Sequence, residues 1–130
     1  MEIVIDTSVL LAVVSGEPSR ERAIELTSGH SLVAPGSVHW EIGNALSAMI
    51  KRRRVTLAEA NACIEAYLRI PIRRIEVDLQ QTMAIVSKLP VYAYDAYLLL
   101  TARQLGSPLL TLDRALGAQA VKLGIPVLEI

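Results

Sequence analysis

Three β-branched residues in a row, Ile3-Val4-Ile5, run into an acid, Asp6, and that junction constrains the fold more than any other feature of the chain. An unbroken apolar run of this kind suits a central strand covered on both faces. Such a strand needs helices above and below it. Further strands are expected at Leu32-Val33-Ala34, Ile72 to Val77, Leu109 to Leu112 and Pro126 to Ile130, with helical stretches in the intervals. The fold expected is therefore α/β, with a central, mostly parallel sheet of about five strands flanked by helices.

The helix signals are local. Pro18 fits a first-turn position and opens a helix through about Ser28. Ser37 caps a helix running to about Arg54, with an apolar stripe of Val38, Ile42, Ala45, Leu46, Met49 and Ile50. Thr56-Leu57-Ala58-Glu59 is a capping box, and Asp78 gives a similar signal. Tyr94 to Leu105 is apolar almost all round, so that helix belongs in the core. Arg114 to Leu123 is the last helix, with Gly124 as its stop.

The chain has 130 residues, of which 52% are hydrophobic, enough for one domain spanning residues 1–130. Cys63 is the one cysteine, so no intrachain disulfide is possible. No apolar run approaches the roughly 20 residues a membrane-spanning helix needs. The apolar start lacks a basic region and carries Glu2 and Asp6, which argues against a secretory leader. A cytoplasmic location and no membrane association are expected. Net charge is zero, so any nucleic-acid contact must come from local patches.

Four acids sit where an acid is hard to explain. Asp6 and Asp113 each follow a strand, at the end where ligands gather in open α/β sheets. Glu41 lies at the edge of an apolar helix stripe, and Asp95 shares a face with Leu98, Leu99 and Ala102. Each has an ordinary explanation: a helix N-cap for Asp6 and Asp113, first-turn capping for Asp95, a buried ion pair with an arginine for Glu41. Together they can reach one edge of one sheet. Four clustered anions repel strongly, and a divalent cation is the simplest agent that makes them tolerable. Oxygen-only ligands select Mg2+ or Mn2+. Zinc is disfavoured because Cys63, His30 and His39 show no ligand spacing. His39 is close enough in sequence to Glu41 to point at the site, or else it is an ordinary helix-start residue. Neither a phosphate-cradling G-x-x-x-x-G-K-[ST] loop nor a dinucleotide-binding G-x-G-x-x-G fingerprint is present.

These residues form an ordered set: Asp6-Thr7-Ser8 after the first strand, Glu41-x-x-Asn44 in a mid-chain helix, Tyr94-Asp95-Ala96 opening a late helix, and Thr111-x-Asp113 after a late strand. The set resembles that of PIN domains, and the compact length resembles the VapC-type toxins of toxin–antitoxin pairs. The resemblance implies a metal-dependent endoribonuclease that cleaves single-stranded RNA or RNA loops. Asp6, Asp95 and Asp113 would hold Mg2+ or Mn2+, while Glu41 completes the shell or orients the water. Metal-activated water would then attack phosphorus in line with the leaving oxygen, giving 5′-phosphate and 3′-hydroxyl ends. Thr7, Ser8, Thr111 and Asn44 would hydrogen-bond the ligand carboxylates or bound water. A homodimer and a cognate antitoxin protein are implied as well.

Lys51-Arg52-Arg53-Arg54 is a possible RNA or antitoxin contact, or else compensation of a helix dipole. Arg69, Arg73 and Arg74 carry the same ambiguity. Aromatic content is 4%, which argues against a broad base-stacking platform. Tyr92, Tyr94 and Tyr97 are expected to pack in the core, with the site or a dimer interface as other possibilities. Three other functions stay open. One is a housekeeping nuclease of RNA processing, and another is a non-catalytic binding module. The last is a phosphatase of a different α/β fold, weakened because no second aspartate stands two residues after Asp6.

Overall fold

In the computed structural model, which describes residues 1–130, the strand ending at Asp6 lies in the middle of a five-stranded, wholly parallel sheet. The strands are β1 (Glu2–Ile5), β2 (Ser31–Pro35), β3 (Ile72–Ile75), β4 (Leu109–Leu110) and β5 (Val127–Leu128), in the order β3-β2-β1-β4-β5. The helices are α1 (Thr7–Val14), α2 (Arg20–Thr27), α3 (Val38–Lys51), α4 (Leu57–Arg69), α5 (Leu79–Lys88), α6 (Ala93–Leu105) and α7 (Arg114–Lys122).

Successive side chains of a strand point to opposite faces, and β1 divides its residues accordingly. Ile3 and Ile5 join one core with Val9, Leu10, Val38, Ile42, Leu46 and Tyr67 from α1, α3 and α4. Val4 joins the other with Ile85, Leu98, Leu99, Leu100 and Leu116 from α5, α6 and α7. Ile3, Val4 and Ile5 are all essentially buried, as an unbroken β-branched run requires. The core position of α6 follows its sequence too, since Ala96 and Leu98 through Ala102 are all buried. No single helix is long and apolar enough to cross a membrane.

Three strands are shorter than expected, and their partners explain it. The Leu112 amide donates to the Ser8 hydroxyl and the Asp113 amide to Thr111 Oγ1, so β4 stops at Leu110. β5 pairs only with β4 and is cut to the same two residues. β3 stops at Ile75 because its partner β2 ends opposite it at Pro35. Pro18 lies in a turn ahead of α2, which begins at Arg20. Rather than reaching Arg54, α3 ends at Lys51, where Arg53 turns left-handed with φ 56° and the Arg54 amide closes onto the Met49 carbonyl. The capping box of α4 and the Asp78 cap of α5 form as expected.

The order of the sheet decides where a ligand can sit. β2 lies on one side of β1 and β4 on the other, so the connections leaving β1 and β4 open a crevice at their carboxyl ends. Asp6 follows β1 directly, and its amide donates to the Leu110 carbonyl at 3.0 Å.

Candidate active site

Asp6 stands at the centre of this crevice and is 7% exposed. It occupies the N-cap position of α1, yet its side chain accepts nothing from that helix. Its Oδ2 instead accepts from Ser8 Oγ at 2.8 Å and Thr111 Oγ1 at 2.7 Å. The two hydroxyls accept in turn from the Leu112 and Asp113 amides. Segments 6–8 and 111–113 are thereby laced together across the β1–β4 junction, and Oδ1 of Asp6 is left without a protein partner.

Asp113 does act as an N-cap. Its Oδ1 accepts from the Leu116 amide at 3.1 Å, and its other oxygen makes no protein hydrogen bond. Capping and ligand-holding are therefore compatible in this residue. Asp95 lies in the first turn of α6, where the helix dipole favours a negative charge. No protein group donates to it. Burial pushes its carboxyl above the ordinary value, and the charges of Asp113 and then Asp6 push it further.

Glu41 lies in the first turn of α3. Burial raises its carboxyl most. A hydrogen bond from Ser37 Oγ to Oε2, at 3.0 Å, pulls the other way, while Asp6 and Asp95 raise it again. Thr7 is near enough to pull weakly downward, but its hydroxyl is buried with no hydrogen-bond partner. The ion pairs of the chain are Arg20–Glu21, Arg22–Glu25 and Arg73–Glu2. None reaches Glu41, so an arginine partner for it is not found. Ser37 carries a role its sequence position hides. It stands before α3 without capping it and donates to Glu41 one turn on.

The fold thus brings Asp6, Glu41, Asp95 and Asp113 to one edge. They shift one another electrostatically, but no three stand close enough to close around one ion as the side chains lie. The oxygens that face the crevice without protein donors, on Asp6, Asp95, Glu41 and Asp113, are all hard carboxylate donors. That chemistry fits Mg2+ or Mn2+, and side-chain movement would be required to complete a shell. The orphaned Thr7 hydroxyl fits the same view, because a buried polar atom normally has a partner.

Other expected residues fall elsewhere. Asn44 is exposed one turn from Glu41 and makes no side-chain hydrogen bond. His39 points about 200° around α3 from Glu41, and its Nδ1 meets Tyr67 Oη at 3.3 Å and Arg74 Nη1 at 2.9 Å. It is not part of the carboxylate set. Lys51 to Arg54 lie roughly 15 Å along α3 from Glu41, exposed and without ion pairs, where Lys51 offsets the negative end of the helix. Tyr92, Tyr94 and Tyr97 are not core residues, unlike Tyr67. Tyr92 is 88% exposed and Tyr94 50%, and Tyr94 packs edge-on over the half-buried Tyr97 with ring centroids 5.9 Å apart.

A family model described as PIN domain matches residues 3–122. No curated protein matches the sequence. Solved structures show the same fold. PAE2754 from Pyrobaculum aerophilum aligns with a TM-score of 0.75 at 23% identity, over 98% of this chain and 83% of that one. VapBC2 from Rickettsia felis, solved bound to a DNA fragment from its promoter, aligns with a TM-score of 0.70 at 12% identity, over 98% of both chains. VapC20 of Mycobacterium tuberculosis, described as a sarcin-ricin loop cleaving toxin, aligns with a TM-score of 0.64 at 18% identity, over 89% of this chain and 93% of that one.

Proposed function

This chain belongs to the PIN domain family, and from that premise we propose that it is a divalent-cation-dependent endoribonuclease, the toxin of a VapBC-type toxin–antitoxin pair. The observation that carries the reading is the convergence of Asp6, Glu41, Asp95 and Asp113 at one sheet edge with none of them ion-paired to a protein cation. Asp6 is buried, Glu41 and Asp95 are half-buried and Asp113 is exposed beside them, and carboxylates gathered in that number call for an external positive charge. The names of VapC20 and VapBC2 support RNA as substrate and an antitoxin as partner.

In this reading Asp6, Asp95 and Asp113 hold Mg2+ or Mn2+. Bound there, the ion supplies a water of lowered pKa and neutralises charge on the phosphate. Ser8 and Thr111 fix Asp6 so that Oδ1 faces the crevice. Glu41 keeps Oε2 on Ser37, which leaves Oε1 to take the proton from the attacking water. Its raised affinity for protons makes it a better base than an ordinary glutamate. Thr7 and Asn44 orient water or the phosphate. Residues 1–130 act as one nuclease unit, in the cytoplasm, as a homodimer held in check by a cognate antitoxin protein.

The test is cleavage of a labelled single-stranded RNA panel with Mg2+, Mn2+ or chelator, beside Asp95→Asn. The expected result is metal-dependent cleavage that falls more than about a hundredfold in the variant. Absence of cleavage together with absence of metal binding by calorimetry would overturn the proposal.

A further inference from the structure

An open groove of the molecule does not lie at the centre of the carboxylates but runs away from them. It lies between α7 and the end of β5, with a volume of about 560 Å³. That is within the range of roughly 300–1,000 Å³ typical of small-ligand clefts. Thr111, Asp113 and Arg114 form the end nearest the carboxylates, while Gly117, Val121 and Val127 line its length. The groove is therefore continuous with the site through two residues already placed there.

Its walls differ in character along that length. Val121 is 65% exposed, and with Val127 it offers an apolar surface. Gly117 puts no side chain between α7 and β5; a Cβ there would meet Val127 Cγ1 at 3.6 Å. The lining is charged as well: it includes the cation Arg114 and the acids Asp113 and Glu129. Arg114 is the first residue of α7, exposed, with no ion pair and no side-chain hydrogen bond. A cation at a helix N-terminus opposes the helix dipole, so Arg114 lacks both a local partner and a favourable local field. An anion at the mouth would give it a partner, while the first turn of α7 is already capped by Asp113.

An apolar slot with a cation at its mouth, opening from a carboxylate cluster, suits a nucleotide: base in the slot, phosphate on the arginine. We propose that the α7–β5 groove is a subsite for the RNA nucleotide adjoining the scissile phosphate, with Arg114 holding a backbone phosphate. The inference rests on the ribonuclease reading above. It assigns the groove a substrate-positioning role and gives an otherwise acidic site the positive charge an RNA strand needs to approach it.

The test uses the whole isotope-labelled protein and a six-nucleotide RNA in chelator, followed by amide chemical shifts. The amides of Gly117 to Val121 and of Val127 and Leu128 are expected to shift. Arg114→Gln is expected to flatten the dependence of log affinity on log salt by about one unit, as the loss of one phosphate contact does. Ala118→Trp places an indole in the groove from an exposed helix position, so folding is not at risk. It is expected to weaken binding about tenfold and to raise KM by a similar factor, with a much smaller effect on kcat. RNA that is bound and cut while the groove amides stay silent overturns this proposal and leaves the nuclease reading standing. So does Arg114→Gln with an unaltered salt slope. A groove silent to RNA but covered in a complex with a co-expressed antitoxin is a protein-docking surface, which also overturns it. The absence of any RNA binding or metal-dependent cleavage overturns both readings together.

Discussion

Thr111→Val keeps the side-chain shape and removes one hydroxyl, which makes it a clean probe of the lacing around Asp6. The hydroxyl donates to Asp6 Oδ2 at 2.7 Å in buried surroundings and accepts from the Asp113 amide at 3.0 Å. A hydrogen bond to a buried carboxylate contributes about 1.5–3 kcal/mol. The second bond adds about 0.5–1 kcal/mol, because Asp113 is exposed and water can replace the lost acceptor. The expected cost is about 2–4 kcal/mol. An unfolding entropy of roughly 2.1 cal/mol/K per residue, over 130 residues, converts this to a fall in Tm of about 7–15 °C. The assay is a thermal melt followed by circular dichroism at pH 7, with Thr111→Ser alongside. The serine variant keeps the hydroxyl and should recover most of the loss. A fall of less than about 2 °C for valine, or an equal fall for serine, would refute the argument that the hydroxyl holds Asp6.

Asp95→Asn should abolish cleavage yet stabilise the metal-free protein by roughly 0.5–2 kcal/mol at neutral pH, a common yield of relieving a strained functional site. The folded state holds the Asp95 proton more tightly than the unfolded chain does, so ionisation works against folding. The penalty is absent below the ordinary value of 3.8 and complete once pH exceeds the raised folded value. The gain in Tm should therefore vanish in acid and grow toward neutrality; a gain constant from pH 3 to 7 would contradict this. Ser37→Ala removes the hydrogen bond that lowers the Glu41 carboxyl, so the acidic limb of the pH–rate profile should move to higher pH, and Ser37→Thr should restore it. Thr56→Ala breaks the capping box of α4 and should cost about 1 kcal/mol in urea denaturation without altering cleavage.

What the sequence revealed and what it hid have physical reasons. Asp6, Glu41, Asp95 and Asp113 were legible because a charge in an apolar pattern contradicts its surroundings, and each contradiction shows within a few residues. The Ile3-Val4-Ile5 run announced a central strand for the same local reason. The end of β4 was not legible, since it is decided by the Ser8 hydroxyl, 104 residues away in sequence. Ser37 was read as a cap because the residue that caps a helix and the one that donates to an acid one turn on look alike in a string. The exposure of Tyr92 and Tyr94 is not legible, because the apolar pattern of α6 does not say that its N-terminal end emerges from the core. The groove beside Arg114 depends on how α7 lies against β5, which no local pattern encodes.

The bond from Thr111 to Asp6 spans 105 residues, and this sets a schedule for the birth of the molecule. During synthesis the chain emerges N-terminus first. Asp6 emerges more than a hundred residues before Thr111 and Asp113. β1 cannot gain its β4 neighbour until Leu109 and Leu110 have left the ribosome. A nascent chain therefore carries its first carboxylates scattered, and the complete set comes together only once Asp113 has emerged.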